Sequence, residues 1–169
     1  MGRLFFAVWP DAEAAAALVA HARELAEACG GRPVTAAMLH LTLAFLGEVD
    51  ADRMTDLVGC AGFRARQFRL ELDRVGAFRR ARVAWAGPST PPPGLFALQE
   101  KLAARLGAGG FALEEREFNP HLTLVRRIER NLPVASIAPV AWNADALTLV
   151  RSETGTGRYT IVERWPLGA

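Results

Sequence analysis

The chain has 169 residues, of which 51% are hydrophobic and 22% are charged, and its formal net charge is +2. A chain of this length and apolar content can bury a core, which excludes an intrinsically disordered protein. The small net charge excludes the wrapping of a long nucleic acid as its main role. No apolar run is long enough for a signal peptide core or a membrane span, so we expect a cytoplasmic protein.

The first quarter of the chain predicts a strand, a helix and a second strand. An apolar run over Arg3–Trp9 indicates a buried strand. Asp11 is a suitable N-cap for the alanine-rich helix that follows, and a pair of glycines after Cys29 stops it. The next apolar stretch contains His40 and predicts a strand that ends near Gly47.

The remaining elements follow from the same patterns of apolar residues, caps and turns. They are a helix from Asp50 or Asp52 to about Phe63, strands over Gln67–Phe78 and Arg82–Ala86, a helix that begins at Thr90 and Pro91–Pro93 and whose later part is Leu95–Leu106, a strand opened by His121, and a terminal hairpin of Leu147–Arg151 and Arg158–Trp165.

One four-residue word, His-Leu-Thr-Leu, occurs twice, opening once at His40 and once at His121. The chain has only three histidines, and composition alone would give two of them the same next three residues about once in a thousand cases. On a strand, residues two apart share a face. We therefore expect His40 and Thr42 on one face with leucines behind them, and the same for His121 and Thr123.

The segments around the two words also correspond. A strand, a helix and the His40 strand in the first half match the strand over Arg82–Ala86, a helix and the His121 strand in the second. This correspondence indicates a duplication in which each half contributes one strand-helix-strand unit. Two such units related by an approximate dyad would place the two His-Thr faces opposite each other across a cleft.

Two facing imidazoles suit a reaction that removes a proton on one side and delivers one on the other. Phosphodiester cleavage makes this demand, because a base activates water while an acid protonates the departing oxygen. The two threonine hydroxyls could donate to the non-bridging phosphoryl oxygens. We therefore predict acid-base chemistry on a phosphate ester, without a metal or other cofactor.

Three other kinds of site fit the residues less well. Metal hydrolysis usually needs three or more ligands, and neither word has a carboxylate or cysteine near its histidine. A serine-type triad would leave the second word unexplained. Recognition of a partner protein by two polar strand faces would leave the pairing of histidine with threonine without a reason.

The chain resembles the 2H phosphoesterase superfamily, which is named for two His-x-Thr-x motifs. Within it, the resemblance is closest to the RNA 2′,3′-cyclic phosphodiesterase family, historically called 2′-5′ RNA ligases. The segments that carry the resemblance are Arg3–Val8, Leu39–Gly47, Phe118–Arg126 and Leu147–Leu167. The chain departs from the family at Thr35–Met38, where members often have an aromatic or charged segment.

The resemblance implies an α+β fold that is bilobal and duplicated, with two antiparallel sheets flanking a central cleft and helices on the outside. Residues 1–169 would form a single domain of two pseudo-symmetric lobes, expected to be a monomer. It also implies metal-independent hydrolysis of 2′,3′-cyclic phosphate ends of RNA to a 2′-phosphate, and the reverse 2′-5′ ligation. On the family's pattern His40 is the proton donor, His121 is the proton acceptor, and Thr42 and Thr123 bind the phosphate. The symmetry of the two words does not by itself decide which histidine is the acid.

Phe45 and Arg126 match family positions near the substrate, where Phe45 would pack on a base and Arg126 would pair with a phosphate. Strict strand alternation instead places both side chains on the core side. A buried, unpaired arginine is costly, so we expect the strand to end or bulge before Arg126. For Phe45 the core position and the substrate position both stay open.

Two alternatives remain for the function. The same site could act on small cyclic nucleotides or on 2′-5′-linked oligonucleotides. The cleft could also belong to a non-catalytic protein that binds RNA ends or nucleotides, although arginine or lysine would serve phosphate binding better than a pair of histidines.

Overall fold

The computed structural model describes residues 2–169. Its helices are Ala12–Cys29 (α1), Met54–Cys60 (α2) and Pro93–Ala108 (α3). Within these residues there are nine strands: Gly2–Val8 (β1), Arg32–Pro33 (β2), Leu41–Gly47 (β3), Phe68–Phe78 (β4), Val83–Gly87 (β5), Leu122–Arg126 (β6), Ser136–Ala144 (β7), Ala146–Glu153 (β8) and Tyr159–Pro166 (β9).

The limits of α1 follow from its flanking residues, as predicted. The Asp11 side chain accepts a hydrogen bond from the Ala14 N–H at 2.8 Å, and the helix ends where Gly30 adopts a φ of 75°. The helix α2 starts later than predicted, because residues 51–53 form a separate 3₁₀ turn. None of the helices described has both the length and the apolar character that crossing a membrane requires.

The strand β7 is missing from the sequence-based prediction. Its Pro139 argues against a central strand, because proline cannot donate a hydrogen bond to a neighbour. The proline is tolerated because β7 lies at one edge of the sheet and pairs only with β4 among the named strands. Near Pro139 the pairing with β4 is irregular, between Leu72 and Arg74.

All paired strands are antiparallel, and the order across the sheet is β7-β4-β5-β6-β3-β1-β8-β9, with β2 added beside β6. The structure is therefore a mixed α+β fold with a large antiparallel sheet. The predicted separation into two sheets is not confirmed by this pairing. A single residue pair, Leu41 with Leu122, joins the two histidine strands and makes the sheet continuous.

The two longer helices pack across the middle of the molecule. Helix α1, from the first half of the chain, contacts β6, and α3, from the second half, contacts β3. Their buried side chains join the strand leucines 41, 43, 122 and 124 in one core cluster. Because the helices cover the leucine face, the face that carries the histidines and threonines stays open.

Candidate active site

The pairing of β3 with β6 brings the two His-Leu-Thr-Leu words side by side. Their second residues, Leu41 and Leu122, are antiparallel partners. Continuing this register by one residue in each direction sets His40 level with Thr123, and Thr42 level with His121. Directly opposed residues share a face of the sheet, so all four polar side chains stand on the same face.

Both imidazole rings are held by the same backbone contact. The Nδ1 atom of His40 lies 2.8 Å from the carbonyl oxygen of Met38, and that of His121 lies 2.8 Å from the carbonyl oxygen of Asn119. A carbonyl oxygen only accepts hydrogen bonds, so Nδ1 is the donor in each case. In the neutral rings this leaves Nε2 as the atom that can accept or deliver a proton.

Each word has a β-bulge at its last residue. In β3, Thr42 pairs with Ala7 and Ala44 with Phe6, so Leu43 is the additional residue. In β6 the additional residue is Leu124, between the pairs Trp85–Thr123 and Ala84–Val125. An additional residue reverses the alternation of faces beyond it.

The bulges decide the positions of Phe45 and Arg126. Both side chains move from the core side to the face of the histidines, and Phe45 is 42% exposed. The bulge expected before Arg126 is confirmed. The core position considered for Phe45 is wrong, because strict alternation does not hold across Leu43 and Ala44.

The residues singled out from the sequence line one cleft of about 340 Å³. They are His40, Thr42, Phe45, His121, Thr123 and Arg126. Four more lining residues were not predicted: Arg3, Phe5, Ser152 and Tyr159. They come from β1, β8 and β9, and the only available signal was the polar Arg3 at the start of an otherwise apolar strand.

His40 is enclosed by aromatic rings. Phe5 and Trp9 stack on its ring at centroid distances of 4.8 and 5.0 Å, and Tyr159 meets it edge-on at 5.4 Å. Burial among these rings lowers the pKa of His40 to about 4; the Met38 hydrogen bond acts in the opposite direction, and the positive charges of Arg126 and His121 add to the lowering. Without a bound ligand His40 is therefore neutral at pH 7.

His121 has more open surroundings. Phe78 meets its ring edge-on at 5.0 Å, and Trp85 lies farther away at 6.5 Å. No ring stacks face to face on His121 among the contacts of residues 2–169. The two histidines thus share one backbone contact but differ in their neighbours.

The cleft is suited to an anion. Its charged lining consists of the guanidinium groups of Arg3 and Arg126 and includes no carboxylate. Burial raises the pKa of the Tyr159 phenol above its usual value, so its hydroxyl remains a donor at neutral pH. Across residues 2–169 there is no group of three or more His, Cys, Asp or Glu side chains that could hold a metal ion.

Comparison with known proteins gives consistent matches over nearly the whole chain. Residues 9–156 match the model of the 2′-5′ RNA ligase superfamily. The RNA 2′,3′-cyclic phosphodiesterase of Escherichia coli K12 is 39% identical over 173 residues, covering 98% of this chain and 96% of the relative. The protein of the same name from Thermus thermophilus is 33% identical, with 98% and 90% covered. The crystal structure of E. coli LigT complexed with 3′-AMP has a TM-score of 0.90 at 36% identity, with 99% of both chains covered.

Proposed function

This chain belongs to the 2′-5′ RNA ligase superfamily, and from that membership and its cleft we propose that it hydrolyses the 2′,3′-cyclic phosphate at RNA ends to a 2′-phosphate. The observation that carries the proposal is the convergence of two imidazoles and two threonine hydroxyls on one face of the sheet. The E. coli and T. thermophilus relatives bear the name of this activity. The anionic substrate matches a cleft whose charged lining is entirely positive.

The proposed reaction removes one proton on one side of the phosphorus and delivers another proton on the opposite side. His121 Nε2 takes a proton from water while the water oxygen bonds to phosphorus. The bond from phosphorus to the 3′ oxygen breaks, and His40 gives its Nε2 proton to that oxygen. Thr42 and Thr123 donate hydrogen bonds to the non-bridging oxygens, where negative charge increases.

The donor role requires that His40 carry a proton, although burial keeps the free ring neutral. A bound phosphodiester brings a negative charge into contact with the ring, and an opposite charge favours the protonated form. Substrate binding therefore raises the proton affinity of His40. The His40 ring is therefore protonated in the complex, where the 3′ oxygen leaves.

The assignment of the two histidines is tested with a leaving group that needs no proton. We compare His40→Ala and His121→Ala on cyclic-phosphate RNA and on a nitrophenyl phosphodiester, whose phenolate departs unprotonated. As the acid, His40 becomes dispensable on the nitrophenyl ester, so H40A recovers activity there and H121A does not. The opposite pattern would exchange the two roles.

Arg126 and Phe45 are proposed as substrate contacts. Arg126 would pair with a phosphate oxygen, and Phe45 would pack on a base; both stand on the cleft wall because of the bulges. Arg126→Ala is expected to raise KM about 10- to 100-fold, since a hydrogen bond to a charged group contributes about 1.5–3 kcal/mol. Arg126→Lys should recover part of the loss, because it restores the charge without the planar fork.

The same site could run in the ligation direction. A 5′-hydroxyl in place of water would give its proton to His121, form a bond to phosphorus and release the 3′ oxygen, leaving a 2′-5′ linkage. Incubation of cyclic-phosphate RNA with a 5′-hydroxyl oligonucleotide tests this, with nuclease resistance of the product reporting the linkage.

One assay separates the proposed activity from the two alternatives. A cyclic-phosphate oligonucleotide, a 2′,3′-cyclic mononucleotide and a 2′-5′ oligomer are each incubated with the protein, with and without chelator. Cleavage of the first to a 2′-phosphate, unaffected by chelator, supports the proposal. Turnover of the other compounds alone favours a related phosphodiesterase, and binding without turnover of any of them favours a non-catalytic protein.

We also propose that residues 1–169 form one domain of two pseudo-symmetric lobes and that the protein acts as a cytoplasmic monomer. The strand order supports the lobes, because outward from the centre it is β3, β1, β8, β9 on one side and β6, β5, β4, β7 on the other. The equivalent bulges and equivalent histidine contacts support a duplication. The oligomeric state is tested by light scattering.

A further inference from the structure

A second and larger groove, of about 730 Å³, continues from the catalytic cleft. Thr42, Phe45 and His121 lie on the walls of both. The other walls come from α3, from the segment between α3 and β6, and from the turn after β4. The groove is thus an extension of the cleft and opens beside Thr42 and His121.

The size of the cleft makes this extension relevant to the substrate. Pockets for single small molecules typically measure about 300–1,000 Å³, so a cleft of about 340 Å³ holds little more than one nucleotide. The RNA before the terminal nucleotide must therefore lie outside the cleft. Within residues 2–169, the groove adjoins the cleft and offers space for this part of the RNA.

The groove has aromatic walls that are open to solvent. Four large hydrophobic side chains are exposed among residues 2–169, and two of them, Phe45 and Phe78, stand on this groove with exposures of 42% and 36%. A third ring, Phe118, is half-buried and is held edge-on by Phe96 at 5.9 Å. Exposed aromatic faces in a groove are typical stacking surfaces for single-stranded bases.

The polar lining fits a base better than a row of phosphates. The amide side chains of Gln99 and Asn119 each offer a donor and an acceptor, as the edge of a base does. The four charged groups on the walls are two of each sign and offset one another: Arg80, Arg116, Glu114 and Glu117. A long polyanion would be better served by a positive surface.

We propose that this groove, the base groove, binds the nucleobase of the nucleotide that precedes the cyclic phosphate in a single-stranded RNA. The proposal rests on the proposed function of the cleft and names the part of the substrate that lies beyond it. It makes the enzyme more efficient on an oligonucleotide end than on a mononucleotide. It also makes the preference only weakly dependent on salt, because few phosphates are neutralised in the groove.

The test fills the base groove from α3 without altering the cleft. Ala103 lines the groove and is partly exposed, whereas the adjacent Ala104 is exposed and is not part of the lining. We compare Ala103→Trp with the matched control Ala104→Trp. The substrates are adenosine 2′,3′-cyclic phosphate and a dinucleotide with the same cyclic-phosphate end.

The wild type is expected to show a kcat/KM on the dinucleotide about tenfold above that on the mononucleotide, the size of one base-stacking contact. A103W should lose this preference and keep the mononucleotide activity, and A104W should match the wild type on both. If A103W melts at a lower temperature than A104W, the milder Gln99→Ala takes its place with the same expectation.

Several results would overturn the proposal. The first is an equal kcat/KM of the wild type on the two substrates. The second is an equal loss of kcat/KM on both substrates in a folded A103W. The third is an A103W variant that loses only the joining of cyclic-phosphate RNA to a 5′-hydroxyl oligonucleotide. Each of these leaves the proposed function in place. A wild type inactive on both substrates would instead contradict the function assigned to the cleft.

Discussion

The two histidine strands have identical sequence words and identical backbone contacts, yet their rings lie in different surroundings. Phe5 and Trp9 both stack on His40, whereas His121 meets Phe78 only edge-on. Burial lowers the pKa of His40 to about 4. The repeated word therefore gives two equivalent backbone positions, and neighbours from outside it make the surroundings of the two rings different.

This difference matters because, in two histidines with identical surroundings, neither ring would be favoured as the proton donor. Acid-base catalysis needs one group that accepts and one that donates at the same pH. In the proposed reaction the shared backbone contact leaves Nε2 of each ring to react, and burial among aromatic rings makes His40 take a proton less readily. The positions of the two rings thus follow from the repeated word, and the low pKa of His40 follows from residues outside it.

Removal of either imidazole has the largest expected effect. On cyclic-phosphate RNA, His40→Ala and His121→Ala should each lower kcat/KM by at least about 10²-fold, because each proton transfer contributes about 10²–10⁴-fold. Steady-state kinetics measure the loss, and circular dichroism checks that the fold is retained. Near-normal turnover in either folded variant would show that the two strands do not act together.

The two threonines should contribute equally to kcat, although the two histidines lie in different surroundings. Thr42→Val and Thr123→Val keep the shape of the side chain and remove the hydroxyl, so each should lower kcat by about 10²-fold, as the loss of one oxyanion donor does. Thr→Ser at each position is the matched control and should retain most of the activity. A loss in only one of the two valine variants would assign phosphate binding to a single strand.

The lowered proton affinity of His40 can be tested through Trp9. As the proposed proton donor, His40 acts in its protonated form, so its titration should make the kcat/KM of the wild type fall as the pH rises above about 4. Trp9→Leu exposes the ring, so the pKa of His40 should rise toward its ordinary value of about 6.5. More of the His40 rings then carry the donor proton at pH 7, so the ratio of kcat/KM at pH 7 to kcat/KM at pH 5 should be higher in the variant than in the wild type.

The control for this experiment lies on the other strand. Phe78→Leu removes a ring that contacts His121 and does not contact His40. It should leave the ratio of kcat/KM at pH 7 to kcat/KM at pH 5 as it is in the wild type. An unchanged ratio in Trp9→Leu would mean that the aromatic enclosure does not set the proton affinity of His40.

The residues of the repeat were predictable from the sequence because a repeated word on a strand fixes both identity and face. The face of Phe45 was not predictable, since a bulge inserts one residue without any mark in the local pattern. The neighbours of His40 that are distant in the sequence could not be predicted either. Trp9 and Tyr159 reach His40 only through the pairing of β1 with β3 and β8 and of β8 with β9.

The same distinction holds for the fold. The limits of α1 could be predicted because the cap and the stop signal are local. The strand β7 could not, because its Pro139 is acceptable only at a sheet edge, and a sequence does not state which strand lies at the edge. The single pair that joins the two halves, Leu41 with Leu122, is likewise a property of the folded chain.

The smallest expected effect concerns how the helices of the two halves begin. Helix α1 is capped by the Asp11 side chain, whereas α3 starts at prolines and has no side-chain cap. Asp11→Ala should lower the free energy of unfolding by about 1 kcal/mol, the usual value of a cap, and the melting temperature by about 2–4 °C. The strands that carry the two histidines are untouched, so kcat/KM should stay unchanged. Asp50→Ala is the control, because that side chain makes no capping hydrogen bond to the turn it precedes. Equal melting temperatures for the two variants would mean that α1 is held by its packing on β6 and not by its cap.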